Sequence, residues 1–172
     1  IERDIKLPIN RNKIITVPGV RRCGKSTLME IAINGLVREG VSPRNILWLG
    51  FDDERLKNMS SDDLDDVIVS YMEMFPDIPI KDVYMFFDEI QLIKDWEYFV
   101  LRVYKSYCKN IYVCGSNATM LSTELSSALR GYPLEYETYP LSFNEYCRFK
   151  GIATNSYLEQ DRARLKMAFE AY

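Results

Sequence analysis

The sequence predicts an α/β domain of three layers, with a mostly parallel five-stranded core sheet between helices, and three observations point to it. Strand-sized apolar runs alternate with helical patterns of about ten residues or more. The run at 83–87, VYMFF, is apolar almost throughout, as a strand covered on both faces must be. Finally, the residues with chemical interest fall just after strands, where ligands collect in open α/β sheets.

Residues 13–17 read as a short buried strand that Pro18 and Gly19 break. A loop through Gly24 leads into a helix over 25–39, with Leu28, Ile31, Ala32 and Leu36 on its inner face and Gly40 at its close. After Ser42 and Pro43, residues 46–51 form a second strand that runs into Asp52, Asp53 and Glu54. Ser60 or Ser61 caps a helix through about residue 74, striped by Leu64, Val67, Ile68 and Tyr71. Pro76 and Pro79 punctuate the turn before the third strand, 83–87, which ends at Asp88 and Glu89. A helix over about 95–107 follows, then a fourth strand at 111–114 stopped by Gly115, Ser116 and Asn117. Residues 119–129 are a helix candidate, 134–138 a fifth, amphipathic strand, and 143–149 the start of the last helical region.

Composition narrows the chemistry. At 172 residues the chain suits one domain with one substantial core, and 47% hydrophobic with 27% charged residues is ordinary globular usage. No apolar run approaches the roughly 20 residues of a bilayer span. There is no histidine, which removes His-based metal sites and His-dependent triads. Cys23, Cys108, Cys114 and Cys147 have neither metal spacing nor disulfide density, so a reduced, cytoplasmic setting is expected. Charge is uneven: residues 1–50 carry nine basic and four acidic groups, residues 51–97 four basic and fourteen acidic. That acidic middle gives no support to a broad nucleic-acid footprint.

The run TVPGVRRCGKST contains glycine, four residues, glycine, lysine and serine, the pattern of a phosphate-binding loop (P-loop), set between a strand and a helix. Gly19, Val20, Arg21, Arg22, Cys23, Gly24, Lys25, Ser26 and Thr27 are therefore the candidate nucleotide-binding residues. Loop amides and the first turn of the helix would face the phosphates. Lys25 would reach the β- and γ-phosphates, Ser26 would ligate Mg²⁺, and Arg21, Arg22 and Cys23 would mostly face outward. At the end of the third strand Asp88 is a candidate for magnesium and Glu89 for polarising the attacking water. Ser116 or Asn117, on a strand expected between the first and third, would reach the γ-phosphate or that water.

The segments PGVRRCGKSTLM, NILWLGFDDERL, VYMFFDEIQ, IYVCGSNATML and YPLSFNEY, in this order, resemble the AAA+-like ATPase domain (AAA_14 type) of archaeal and bacterial proteins that usually carry a DUF4143 region behind it. The likeness runs from about Lys13 to Arg148 and implies the additional-strand P-loop (ASCE) topology. It also implies ATP and magnesium at Lys25, Ser26 and Asp88, water activation by Glu89, and a sensor role for Asn117 with Ser116. The resembling proteins often place glycine then arginine before the fifth strand, whereas here Arg130 precedes Gly131. Arg130 is thus a candidate for stabilising transition-state charge, in cis or from a neighbouring subunit.

The leading expectation is a Mg²⁺-dependent ATPase whose hydrolysis changes the conformation of an attached domain or partner. A nucleotide-dependent module binding DNA or protein with little hydrolysis is the second reading, and a small-molecule kinase the third. A GTPase is disfavoured, since no asparagine-lysine-x-aspartate signature follows. Residues 1–150 are expected to be the ATPase domain and 151–172 the start of a helical segment leading to a further C-terminal region. The chain begins with Ile1 rather than Met and stops inside the amphipathic pattern Leu158, Leu165, Met167, Phe169 and Tyr172. A second copy of the chain is a further candidate partner, through self-association.

Overall fold

Five parallel strands lie in the order β2-β3-β4-β1-β5 in the computed structural model, which describes residues 3–9, 12–56, 58–116, 131–154 and 158–172. The strands are β1 (Ile14–Pro18), β2 (Ile46–Gly50), β3 (Tyr84–Asp88), β4 (Asn110–Gly115) and β5 (Pro133–Glu135). The helices among the described residues are α1 (Lys25–Arg38), α2 (Ser61–Met74), α3 (Trp96–Ser106), α4 (Phe143–Lys150) and α5 (Glu159–Ala171). β4 is inserted between β1 and β3, pairing Ile14 with Ile111 on one side and Met85 with Ile111 on the other. This is the additional-strand topology, and it brings the carboxyl ends of all three strands to one edge.

Pleating divides the inner strands between two cores. Met85, Phe87, Ile111 and Val113 face α2 and α3, packing with Leu64, Ile68, Phe99 and Val103. Tyr84, Phe86, Tyr112 and Cys114 face the other way, onto α1 through Leu28, Met29 and Leu36. Phe86 and Tyr112 stack with ring centroids 4.4 Å apart, and Phe87 meets Phe99 edge-on at 5.6 Å. Continuous burial along β3 is therefore the sum of two alternating faces, which is why its sequence shows no alternation.

Local signals set the helix ends. Ser60 is the N-cap of α2, accepting from the Asp63 amide while the Asp63 carboxylate accepts from the Ser60 amide. The same reciprocal box joins Ser142 and Glu145 at the start of α4. α3 starts without a side-chain cap, from Asp95 at φ 60°.

One expectation needs correction. The fifth strand covers Pro133–Glu135 rather than 134–138, and beyond it the Tyr136 and Thr138 amides donate back to the Thr16 and Pro18 carbonyls, with Thr138 bridging Gly19. The helix expected at 119–129 lies outside the described residues.

Phe87→Ala is expected to cost about 3–5 kcal/mol, because removing a ring packed by two other aromatics leaves a cavity that parallel strands cannot collapse. Urea denaturation measures this, and a loss below about 1 kcal/mol would mean that this face is not a close-packed core.

Candidate functional site

The loop between β1 and α1 is shaped by close approach. A β-carbon on Gly19 would lie 2.3 Å from the Thr138 carbonyl oxygen and 2.8 Å from Cys23 Sγ, so no larger residue fits without moving backbone. Gly24 has φ +93°, and a β-carbon there would lie 2.8 Å from Arg3 Nη1. Arg22 adopts φ 63°, turning the chain into the helix. The first amides of α1 have no acceptor one turn back within the helix, and the first ladder bond runs from the Leu28 amide to Gly24 at 2.9 Å.

Lys25 is 4% exposed, so it is no solvated surface lysine. Its ammonium donates to the Val20 carbonyl at 3.1 Å and lies 3.7 Å from Glu89 Oε1. A buried ammonium requires such partners. Arg21 and Arg22 are exposed as expected, and Val20 is exposed too, but Cys23 is buried against Gly19, contrary to the outward orientation expected for it. The physical reason is room: the absent Gly19 β-carbon leaves the space that the thiol fills.

Asp88 and Glu89 stand at the tip of β3. Asp88 is buried and accepts a hydrogen bond from the Cys114 thiol of the neighbouring β4. Burial first, and then the Asp88 charge, push the Cys114 thiol far above its ordinary range, so it remains a neutral donor. Glu89 has φ 51° and ψ 38°, a left-handed conformation rare for a side-chain-bearing residue. Its Oε2 accepts from the Ser116 amide at 3.0 Å and from Gln91 Nε2 at 2.5 Å. Burial pushes the Glu89 carboxyl up, yet these hydrogen bonds with the Lys25 charge outweigh it and hold the group below the usual carboxylate range.

The structure therefore brings Lys25, Asp88, Glu89 and Ser116 to one edge. Ser26 sits in the first turn of α1, half-buried, beside Thr27. Asn117 and Arg130 lie outside the described residues. Asp52, Asp53 and Glu54 line a cavity of about 270 Å³ at the end of β2. There Asp53 is half-buried and bonded to Arg55, which lowers its pKa to about 2.

Arg3 and Glu145 escaped the sequence reading. Arg3, 5% exposed, donates to the Cys23 carbonyl at 2.9 Å, to the Tyr139 carbonyl at 2.8 Å and to Glu145 Oε1 at 2.8 Å. Glu145 also accepts from the Asp4 and Ser142 amides, each at 2.8 Å. One buried guanidinium thus fastens the phosphate loop to α4. The S-x-x-E pattern of the capping box was a signal for Glu145, while nothing in the spacing singles out Arg3.

A family model described as an AAA domain (AAA_14) matches residues 11–147. An uncharacterised protein of Methanocaldococcus jannaschii is 36% identical over 151 residues, covering 87% of this chain and 32% of its own length. An uncharacterised protein of Haemophilus influenzae is 35% identical over 145 residues, covering 84% and 36%. The chain thus spans about a third of the length of these curated relatives. The solved structure of C. elegans PCH-2 is similar with a TM-score of 0.47 at 16% identity, over 89% of this chain and 44% of its own.

Glu145 generates a pH dependence. Burial raises its carboxyl, but the Asp4 and Ser142 amides and Arg3 lower it further, leaving it below its ordinary value of 4.5. Its contribution to stability is complete above 4.5 and is lost as pH falls through the lower folded value, because the unfolded chain takes up the proton first. Urea titrations from about pH 6 to about pH 3.5 are expected to show a shallower acid slope for Glu145→Gln than for the parent. Equal slopes would remove Glu145 from this account.

Proposed function

The chain belongs to the AAA domain family, a nucleotide-binding, ATPase-like fold, and we propose that it binds ATP with Mg²⁺ and hydrolyses it to ADP and phosphate. The observation that carries this reading is the buried Lys25 ammonium set 3.7 Å from the Glu89 carboxylate, at the edge where the phosphate loop opens.

The residues present suit both groups. Among the described residues Lys25 is held by one carbonyl and by a carboxylate at the limit of ion pairing, so phosphate oxygens would offer it stronger partners. The Ser26 hydroxyl and the Asp88 carboxylate are hard oxygen donors of the kind magnesium takes. Among the described residues no three His, Cys, Asp or Glu side chains converge on one point. A magnesium site completed by substrate phosphates and water needs only one or two protein ligands. Magnesium would supply charge neutralisation on the phosphates.

The chain's own groups then divide the work. Lys25 and the loop amides of Gly19 to Thr27 hold and orient phosphate. Glu89, ionised at neutral pH, orients water and accepts its proton, with Ser116 at the tip of β4 beside it, and Asn117 is proposed to share the sensor role. Arg130 is proposed for transition-state charge, in cis or from a second copy. We take residues 1–150 as the ATPase domain, with 151–172 leading toward an attached C-terminal region whose conformation hydrolysis would change. A cytoplasmic setting fits the cysteine usage, and among the described residues no helix is long and apolar enough to cross a membrane.

A second reading is a nucleotide-dependent binding module with little hydrolysis. The pairing of Glu89 with the Lys25 charge favours it, because a carboxylate held by that ammonium is a poorer base.

Lys25→Ala is expected to weaken ATP binding by about tenfold or more with the fold retained by circular dichroism. Glu89→Gln should retain ATP affinity while Mg²⁺-dependent phosphate release falls about a hundredfold or more. Release that is unaffected by Glu89→Gln would sink the hydrolytic reading. Tight ATP binding without release in the parent would favour the binding module.

A further inference from the structure

We propose that Gln91 is a positioning residue for Glu89, holding its carboxylate against the tip of β4 in the orientation hydrolysis requires. This rests on the reading of Glu89 as the group that polarises water.

Gln91 lies in the short 3-10 turn Ile90–Leu92 that follows β3. Its Nε2 donates to Glu89 Oε2 at 2.5 Å and reaches Ser116 Oγ at 3.4 Å. The Ser116 amide donates to the same carboxylate oxygen at 3.0 Å. One oxygen of Glu89 is thus gripped by a side chain from its own strand end and by main chain from the next strand. The other oxygen is left toward Lys25, at 3.7 Å.

The sense of the amide is fixed by chemistry. An ionised carboxylate only accepts, so the Gln91 atom 2.5 Å from Oε2 is the nitrogen. Gln91 Oε1 is consequently the free end, shut off from solvent and without a hydrogen-bond partner among the described residues. An unmet buried acceptor is a cost that methionine, of similar size and shape, would avoid. Packing alone gives no reason to keep an amide here, whereas the donor at its other end does. Strained or unsatisfied groups of this kind collect where a site needs them.

Lys25 is the other restraint on Glu89, and phosphate would draw it away. Val20 already shares its ammonium. With Lys25 turned to phosphate, Gln91 and Ser116 are the ties on Glu89 that remain among the described residues.

The test compares the parent chain with Gln91→Met, Gln91→Glu, Glu89→Gln and the Glu89→Gln/Gln91→Met double variant. It reads ATP affinity, kcat for Mg²⁺-dependent phosphate release, and thermal midpoint. Gln91→Met is expected to lower kcat about tenfold or more, with ATP affinity unchanged and the midpoint unchanged or higher. Gln91→Glu replaces the donor with an acceptor and should lower kcat at least as much. In the Glu89→Gln background, Gln91→Met should add nothing. Parental kcat in Gln91→Met beside an inactive Glu89→Gln overturns this proposal and leaves the ATPase reading standing, as do additive losses in the double variant. A lower midpoint together with weaker ATP binding and unchanged kcat would make Gln91 a packing residue and likewise overturns it. If the parent releases no phosphate, the hydrolytic reading fails and this proposal fails with it.

Discussion

The parallel ladders that set β4 between β1 and β3 are the constraint on which the rest of the site depends. Because the strands run in register, Pro18 comes level with Gly115 and Phe87 with Val113, so the loop after β1 and the carboxylates after β3 flank one strand tip. Hydrogen bonds then pass sideways along that edge. Cys114 reaches Asp88, the Ser116 amide reaches Glu89, and Glu89 faces Lys25. A shift of one residue in either ladder would turn each of these side chains to the opposite face.

Charge compensation is the second organising demand. Arg3, Lys25, Asp88 and Glu145 are all buried, and each has a partner aimed at it. Leaving an ion buried without one costs several kcal/mol. The partners explain why such residues tolerate burial in a domain otherwise filled by aromatic and aliphatic side chains. They also explain the glycines of the loop, since Gly24 clears the approach of Arg3 and Gly19 the approach of Thr138 and Cys23.

Much of this was legible in the sequence where the signal is local. Residues 83–87 are apolar because two cores share them, the Ser60 box marks the start of α2, and the glycines and Lys25 announce the phosphate loop before α1. What was not legible depends on contacts distant in sequence. Arg3 sits in an arm with no periodicity, and only the folded sheet brings Cys23 and Glu145 to it. Cys23 gave no sign that it would turn inward, because the space it fills belongs to Gly19. Gln91 stood in view at the end of VYMFFDEIQ, yet spacing alone does not show which oxygen its amide grips.

The Arg3 network also bears on the order in which the chain acquires its shape. Arg3 and Glu145 are 142 residues apart, so the bond between them closes a loop spanning nearly the whole domain. Contacts of that separation form only after the intervening sheet has drawn its ends together. During synthesis, residue 145 must also leave the ribosome before Arg3 can meet it. The phosphate loop thus takes its brace from a contact of high sequence separation, whose loop-closure entropy must be met before the contact rewards folding.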